Sequence, residues 1–311
     1  MARKITMNEH SNKLVAEVFN NFVISQTAQG LSEITLKNYR HHLHSISRHL
    51  DIQQPMEALT KSDLEAMVVS MRRSGLAHNS ISSYCRVLRT FLGWCQREGM
   101  TVPPMPQIKD KETVKESYTD EELEAILKRP KKNCSFCEYR NWVIVNFLMN
   151  CGCRASSVRN IQNRDVDLDT KQIVFRHNKN GKIQTVPLCS VMVSILREYM
   201  TIRKGKPDDY LFCDQYGGML SMNALRLAVA RHNNSRGVEK TSTHLYRHTF
   251  ARKYLVDCGG DAFMLQKLWG HSTLKMMKHY CAIYDADIAK NLDRFSPLAQ
   301  MAQTKEKIKR T

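Results

Sequence analysis

The spacing of apolar residues over the first hundred positions most constrains the fold. Residues 14–24 carry apolar side chains three and four positions apart, which predicts a helix with one buried face. Ser32 can cap a second such helix, Thr60 and Asp63 resemble the start of a third, and a fourth follows Asn79 and ends at Gly99. Four amphipathic helices must bury their stripes against one another, so residues 10–100 are predicted to form a helical domain.

The apolar stripes of these helices define the predicted core. They comprise Leu14, Val15, Val18, Phe19, Phe22 and Val23; Leu36, Tyr39, Leu43, Ile46 and Leu50; Leu64, Met67, Val68 and Met71; and Ile81, Tyr84, Cys85, Leu88, Phe91 and Leu92.

The outer faces of the second and fourth helices are basic. The whole chain holds 47 Lys and Arg against 30 Asp and Glu, a formal charge of +17 that is spread along the sequence. Distributed positive charge favours a polyanionic partner, most often nucleic acid, because each cation near a phosphate releases a counterion. We therefore expect DNA contacts from these two faces, with simple solvation as the alternative: Lys37, Arg40, His41, His44, Arg86 and Arg89.

A change of composition separates a second domain. Residues 101–117 contain three prolines and a charged tail, which is typical of a linker. A capped helix is predicted after Thr119, followed by one long buried helix, EYRNWVIVNFLMN. The segment IVFRHNKNGKIQTVPL then alternates like β-strands around Asn180-Gly181, which predicts a hairpin, and DVDLDTKQIVF suggests a strand before it. After Pro187 the pattern is helical to about residue 297, so residues 118–311 are predicted to be a mixed α+β domain with a small antiparallel sheet.

Cysteine usage and hydropathy indicate the compartment. The chain has ten cysteines, a polar N-terminus and no run of roughly 18 apolar residues, the length needed to span a membrane. We expect an intracellular, cytoplasmic protein with free thiols and no membrane association. Two cysteine pairs, 134/137 and 151/153, could suggest zinc. The helix predicted between them would hold the pairs about 20 Å apart, which favours ordinary buried thiols and no metal.

Familiar nucleotide and metal motifs are missing from the sequence. There is no P-loop, HExxH, Rossmann glycine pattern or obvious carboxylate cluster, so a metal-dependent nuclease or polymerase is poorly supported. A group of cationic and proton-carrying residues remains: Arg154, Lys179, His244, Arg247, His271 and Tyr280. These residue types can cut a phosphodiester without metal. Arginine forks bind the charged oxygens, a lysine can protonate the leaving oxygen, and an ionised tyrosine can attack.

The order of these residues resembles the tyrosine recombinases, the phage-integrase and Xer-like site-specific recombinases. The matching segments are Arg154 after CGC, the KNGK turn, HLYRHTFA and LWGHSTLKMMKHY. The resemblance covers nearly the whole chain, with residues 10–100 similar to the family's core-binding, SAM-like domain, 101–117 as linker and 118–311 as the catalytic domain. Each motif is moderately specific alone, and all of them in order are highly specific.

The resemblance implies roles for the individual residues. Arg154 and Arg247 would clamp the scissile phosphate, and Lys179 rather than Lys182 would protonate the leaving 5′-oxygen. His244 would act as base or phosphate ligand and His271 would hydrogen-bond the phosphate. Tyr280 would form a 3′-phosphotyrosyl link, with Tyr284 as the rival nucleophile. Ser157 stands where family members often carry an acidic residue, which leaves the surroundings of the first arginine open.

The resemblance also implies partners and assembly. The expected partner is double-stranded DNA with specific recombination sites, bound by a homotetramer that exchanges a C-terminal segment, here 286–298, between neighbours. The alternative for this segment is an ordinary closing helix packed within its own subunit. No cofactor is expected, an accessory directionality factor is a further candidate partner, and the enzyme would be nucleoid-associated. The activity would be that of a mobile-element integrase or excisionase, or of an Xer-like resolvase. The alternatives are a catalytically inactive DNA-binding protein of the same fold and a type IB topoisomerase-like enzyme.

Overall fold

A computed structural model of the chain describes residues 13–109, 116–176 and 183–270. The chain divides into two compact units, Met1–Thr113 and Val114–Thr311, each with its own hydrophobic core. In the described ranges, no helix combines the length and apolar character needed to cross a bilayer.

The first unit is helical, as predicted. Its helices are α1 (Val15–Ala28), α2 (Glu33–Ile46), α3 (Lys61–Arg73) and α4 (His78–Arg97). Ser32 caps α2, and Thr60 and Asp63 form a reciprocal capping box at α3. The fourth helix begins at His78, slightly before the predicted start after Asn79, because Ala77 is the extended residue that precedes it.

The predicted stripes form the core of this unit. Phe19, Phe22 and Phe91 pack as an aromatic cluster, with ring centroids 5.0–5.7 Å apart. Most predicted core residues are buried, whereas Tyr39, Leu43 and Tyr84 are half-buried at the edge of the cluster and Leu14 is half-buried as well. Helical spacing identified the buried face of each helix. Which residues at the border of that face are only half-buried depended on how the helices pack against one another.

The second unit is built around one buried helix. Its first two helices are α5 (Asp120–Leu127) and α6 (Phe136–Cys151), both started by capping boxes, at Thr119 and Ser135. Helix α6 is buried on nearly all sides and packs against α5, α8 (Ser190–Arg203), α9 (Met222–Asn234) and α10 (Thr243–Arg252). A helix that is apolar all round is stable only when surrounded, so α6 is the axis of this unit.

A short antiparallel sheet lies in the second unit. Strands β1 (Val166–Asp167), β2 (Gln172–Phe175) and β3 (Gln184–Pro187) are arranged in the order β1-β2-β3. The pairing of Phe175 with Gln184 and of Ile173 with Val186 confirms the predicted hairpin. Its turn, with Lys179, Asn180, Gly181 and Lys182, lies outside the described residues.

The prediction of a helical pattern from Pro187 to about residue 297 is wrong for residues 204–221. Between α8 and α9 the chain forms turns and isolated bridges, in which Tyr210 pairs with Gln162 and Cys213 with Met219. Lys204 ends α8 in the left-handed conformation, and Gly205, Pro207 and the Gly217-Gly218 pair follow, all of which disfavour helix. Helix α7 (Ala155–Arg159) precedes the sheet and α11 (Ala262–Trp269) ends the described chain, so segment 286–298 lies outside it.

Candidate active site

Arg154 is placed by the abrupt end of the buried helix. Gly152 follows α6 in the left-handed conformation, with φ +57°, and its amide donates to the Leu148 carbonyl at 2.9 Å. A glycine adopts this conformation without the steric cost that a Cβ imposes. The chain then reverses, and Arg154, half-buried, is the extended residue that starts α7. The CGC segment thus sets a basic side chain at the end of the central helix.

Arg247 lies on α10 in a buried setting. Its side chain is only 2% exposed, and its Nη1 donates to the carbonyl of Gly152 at 2.6 Å. Burying a cation is costly unless it is hydrogen-bonded, and the carbonyls at the end of a helix are strong acceptors that carry partial negative charge. The turn that positions Arg154 therefore also holds Arg247.

A buried network of polar side chains fixes α10. The Tyr246 hydroxyl donates to Asn233 Oδ1 at 2.6 Å, and Asn233 Nδ2 donates to the Tyr118 hydroxyl at 2.9 Å. The Tyr118 amide donates to Thr249 Oγ1 at 3.0 Å. Burial raises the pKa of Tyr118 to about 12 and that of Tyr246 further, so both phenols stay neutral donors. Neighbouring residues of Arg247 are thereby tied to α9 and to the start of the second unit.

The two arginines line one small pocket. Its walls come from the α6–α7 turn, the hairpin strands, α10 and the end of α11, and the lining residues are Cys151, Cys153, Arg154, Ser157, Phe175, Gln184, Val186, Arg247, Leu268 and Trp269. A pocket with two guanidinium groups is suited to an anion such as a phosphate. Two of the six predicted catalytic residues are thus brought together.

Among the described residues that line the pocket there is no carboxylate. Ser157, at the position where an acid is frequent in the resembling family, is buried and lines the pocket beside Arg154. Burial, reinforced by a hydrogen bond with Cys151, raises the pKa of the Cys153 thiol well above its usual range. A neutral thiol adds no negative charge, so the described side chains of this lining carry no anionic group that would repel an incoming anion.

Of the four other predicted catalytic residues, only His244 lies in the part of the chain that the structure describes. His244 lies on α10, one turn before Arg247, and its side chain is exposed rather than part of the pocket lining. His248, which follows Arg247 on the same helix, is half-buried. Lys179, His271 and Tyr280 lie outside the described residues, as does Tyr284.

The six basic-face residues of the first unit are all exposed. Four lie on α2 and two on α4: Lys37, Arg40, His41, His44, Arg86 and Arg89. Arg89 also donates weakly to the Pro106 carbonyl, at 3.5 Å. Exposure leaves their interaction with DNA a prediction.

Metal binding finds no support in the described ranges. There, no group of three His, Cys, Asp or Glu side chains is arranged to hold an ion, and the nine cysteines have free thiols.

Sequence reasoning missed Trp269. Its indole ring lies under the Arg247 guanidinium, with Cζ 3.5 Å from the ring centroid, and its Nε1 donates to the Cys151 carbonyl at 2.9 Å. The only sequence signal was its place before Gly270 in LWGHS. Its position in the sequence did not indicate that Trp269 would contact a cation, or which one.

Family models match both units. A model described as the phage integrase family matches residues 116–287, and one described as the N-terminal SAM-like domain of phage integrases matches residues 19–99.

Curated relatives resemble the chain over most of its length. The tyrosine recombinase XerC of Shewanella amazonensis is 24% identical, across 88% of this chain and 93% of the relative. The tyrosine recombinase XerD of Proteus mirabilis is 26% identical, across 88% and 90%.

Solved structures share the fold. A Tn1549 transposon integrase in complex with transposon right-end DNA superposes with a TM-score of 0.74 at 19% identity, covering 91% of this chain and 99% of that one. A lambda integrase tetramer bound to a Holliday junction gives 0.71 at 17% identity, covering 89% and 81%. At these identities the likeness establishes a common fold.

Proposed function

The chain belongs to the phage integrase family of tyrosine recombinases, and from that premise we propose that it cuts and rejoins DNA at specific sites through a 3′-phosphotyrosyl intermediate. The observation that carries this is the pocket in which Arg154 and Arg247 meet. Two guanidinium groups suit the two non-bridging oxygens of a phosphodiester, whose charge must be stabilised as the phosphorus becomes pentacoordinate. Arginine stays protonated at any working pH, so this stabilisation needs no metal ion.

The other roles in the proposed reaction follow the family's motif. The Tyr280 hydroxyl attacks the phosphorus, its proton passes to a base, and the bond to the 5′-oxygen breaks as Lys179 protonates that oxygen. His244 serves as base or phosphate ligand, and His271 as a phosphate ligand. The new phosphotyrosyl ester conserves the energy of the broken bond, so a 5′-hydroxyl from another strand can reverse the step without ATP.

The proposed partner is double-stranded DNA. The net charge of +17 and the exposed basic faces of α2 and α4 support this, because phosphate contacts supply most of the affinity. In the proposed arrangement residues 10–100 bind the core of the DNA site and residues 118–311 form the catalytic domain. Residues 101–117 are the linker that joins these two domains. Since a similar integrase is a tetramer on a Holliday junction, we propose that this chain also works as a tetramer, with exchange of segment 286–298 and with an accessory factor setting direction.

The test is to trap the covalent intermediate. Wild-type protein is incubated with fragmented DNA, covalent adducts are isolated under denaturing conditions, and the attached DNA is sequenced to define the site. A duplex carrying that site and a nick just beyond the scissile bond then accumulates adduct, because the short cleaved product diffuses away and religation fails.

Two tyrosine variants assign the nucleophile. Tyr280→Phe should abolish the adduct while leaving site binding intact, whereas the matched Tyr284→Phe should still form it. Adduct from Tyr280→Phe would show that the nucleophile is wrong. Wild-type protein that binds DNA and never forms adduct would favour the inactive DNA-binding alternative, and relaxation of supercoiled plasmids that lack the site would favour a topoisomerase.

A further inference from the structure

Trp269 lies where the last turn of α11 meets the candidate site. We propose that Trp269 is a positioning residue that orients the Arg247 guanidinium toward the scissile phosphate, an inference that rests on the proposed function. It touches the arginine rather than the reacting atoms, so its effect on cleavage would pass through Arg247.

The contact between the two side chains is close. The Arg247 Cζ lies 3.5 Å from the centroid of the Trp269 ring, well inside the roughly 6 Å within which a cation is attracted to an aromatic face. In the same unit, Arg129 lies over Trp142 at 6.0 Å, the outer edge of that range. Arg247 and Trp269 are 2% and 3% exposed, so water screens their attraction little.

Both partners are anchored to consecutive carbonyls at the end of α6. Trp269 Nε1 donates to Cys151 O at 2.9 Å, and Arg247 Nη1 donates to Gly152 O at 2.6 Å. The indole supports the face of the guanidinium while the carbonyl of Gly152 holds its edge. A planar group held at one face and one edge has its orientation determined.

The packing around the indole leaves little room for it to move. A Cβ added at Gly152 would lie 2.9 Å from Trp269 Cζ2, and Phe250 packs against the indole with ring centroids 6.1 Å apart. The Trp269 ring is therefore held in one orientation by its packing, and its position depends on the α6–α7 turn that also places Arg154.

A fixed guanidinium plane matters for the chemistry proposed. Bidentate binding of phosphate requires the arginine fork to lie in the plane of two oxygens, and an arginine loses substantial side-chain entropy when it is immobilised. If that ordering is complete before DNA binds, the transition state gains the charge interaction without the cost of ordering. Loss of the ring should therefore slow cleavage more than it weakens DNA binding.

The experiment compares a charged and a neutral scissile group. Adduct formation is measured on the nicked duplex with either the natural phosphodiester or a methylphosphonate at the scissile position. In the methylphosphonate a methyl group replaces one non-bridging oxygen and the scissile group is neutral. An oriented cation therefore accelerates its cleavage less. Arg247→Ala calibrates the assay, because this variant should slow adduct formation much more on the phosphodiester than on the methylphosphonate.

The variants are Trp269→Leu, which removes the ring, and Trp269→Phe, which keeps a smaller ring and loses the N–H anchor. The matched control is Trp142→Leu, since Trp142 is 4% exposed and donates its Nε1 to the Leu127 carbonyl at 2.8 Å. It reports the cost of deleting a buried, hydrogen-bonded tryptophan outside the pocket.

The expected result is a selective loss on the charged substrate. Trp269→Leu should slow adduct formation about 30-fold on the phosphodiester, the equivalent of about 2 kcal/mol, and only a few-fold on the methylphosphonate. The rate of adduct formation by Trp269→Phe should lie between the rates of Trp269→Leu and the wild type. The phenylalanine variant supplies the same comparison of substrates if the leucine variant does not fold. Trp142→Leu should change both substrates by the same factor.

The inference is overturned if the Trp269 variants slow both substrates equally, as Trp142→Leu should, or slow neither. A wild-type protein that forms no adduct on either substrate would instead overturn the proposed function, and the inference with it. The two failures are distinguished by the wild-type reaction alone.

Discussion

Substitution of Gly152 by alanine should damage the second unit and its site together. Gly152 has φ +57°, and an added Cβ would lie 2.6 Å from Phe250 Cδ1 and 2.9 Å from Trp269 Cζ2. The left-handed conformation costs a residue with a Cβ about 1–2 kcal/mol, and overpacking of a dense core costs about 1–3 kcal/mol. Gly152→Ala should therefore lower the free energy of unfolding of this unit by about 2–5 kcal/mol.

Gly237→Ala is the matched control. Gly237 also follows a helix of the second unit with positive φ, +75°, but a Cβ there meets nothing within 4 Å. It should cost only the conformational strain, about 1–2 kcal/mol. Both substitutions reduce the freedom of the unfolded chain similarly, so the difference between them, about 1–3 kcal/mol, isolates the clash.

Hydrogen exchange followed by mass spectrometry on the full chain is the suitable assay. A chain of two compact units need not unfold in one step, so a single melting temperature would mix them. Peptides from α6 report opening of the second unit, and peptides from α4 serve as an internal reference that neither variant should change. Covalent adduct formation should also slow more in Gly152→Ala, because the carbonyl that holds Arg247 is displaced.

The steric reasoning would be refuted if the two variants destabilised α6 to within about 0.5 kcal/mol of each other, the usual scale of neutral surface changes. Equal adduct formation by both would refute the link between this turn and the arginine.

Three further outcomes are expected. Arg154→Ala should lose cleavage of the nicked duplex with a much smaller loss of affinity in a gel-shift titration, because many phosphate contacts share the binding; equal losses would indicate a structural role. Asn233→Leu, which leaves two buried tyrosine hydroxyls without their amide partner, should destabilise the second unit by about 2–4 kcal/mol by hydrogen exchange; a neutral effect would contradict the network. Burial lowers the pKa of His232, whose ring nitrogen lies 2.9 Å from the Ile126 carbonyl, so the unfolded chain takes up a proton more readily. Stability should therefore fall as the pH drops below about 6.5, less steeply in His232→Gln, and identical pH profiles of the two proteins would count against this.

Local sequence signals predicted much of this protein. Apolar residues three and four apart identified α1–α4, and the cap residues Ser32, Thr60 and Thr119 were read correctly, because helix formation depends on neighbours within one or two turns. The hairpin was found because strand alternation and turn residues are equally local. The family also followed from the sequence, since the order of its motifs along the chain is itself sequence information.

The arrangement of the site was beyond such signals. Arg154 and Arg247 lie far apart in the sequence, and they share a pocket only because α6 ends at a left-handed glycine whose carbonyl receives Arg247. Residues 204–221 looked helical by pattern, yet their Gly and Pro residues and the bridge from Tyr210 to Gln162 hold them in turns. There, the turn-forming residues and the long-range bridge together outweighed the apolar spacing that suggested helix.

Trp269 shows the difference most clearly. In the sequence it is one apolar residue before a Gly-His pair, with nothing to mark it as a partner of a cation. In the fold, its ring lies 3.5 Å from Arg247 because α10, α11 and the end of α6 converge on one point. Residue type and spacing determine which elements form and which chemistry is present, whereas contacts between distant elements depend on how a dense core can be filled.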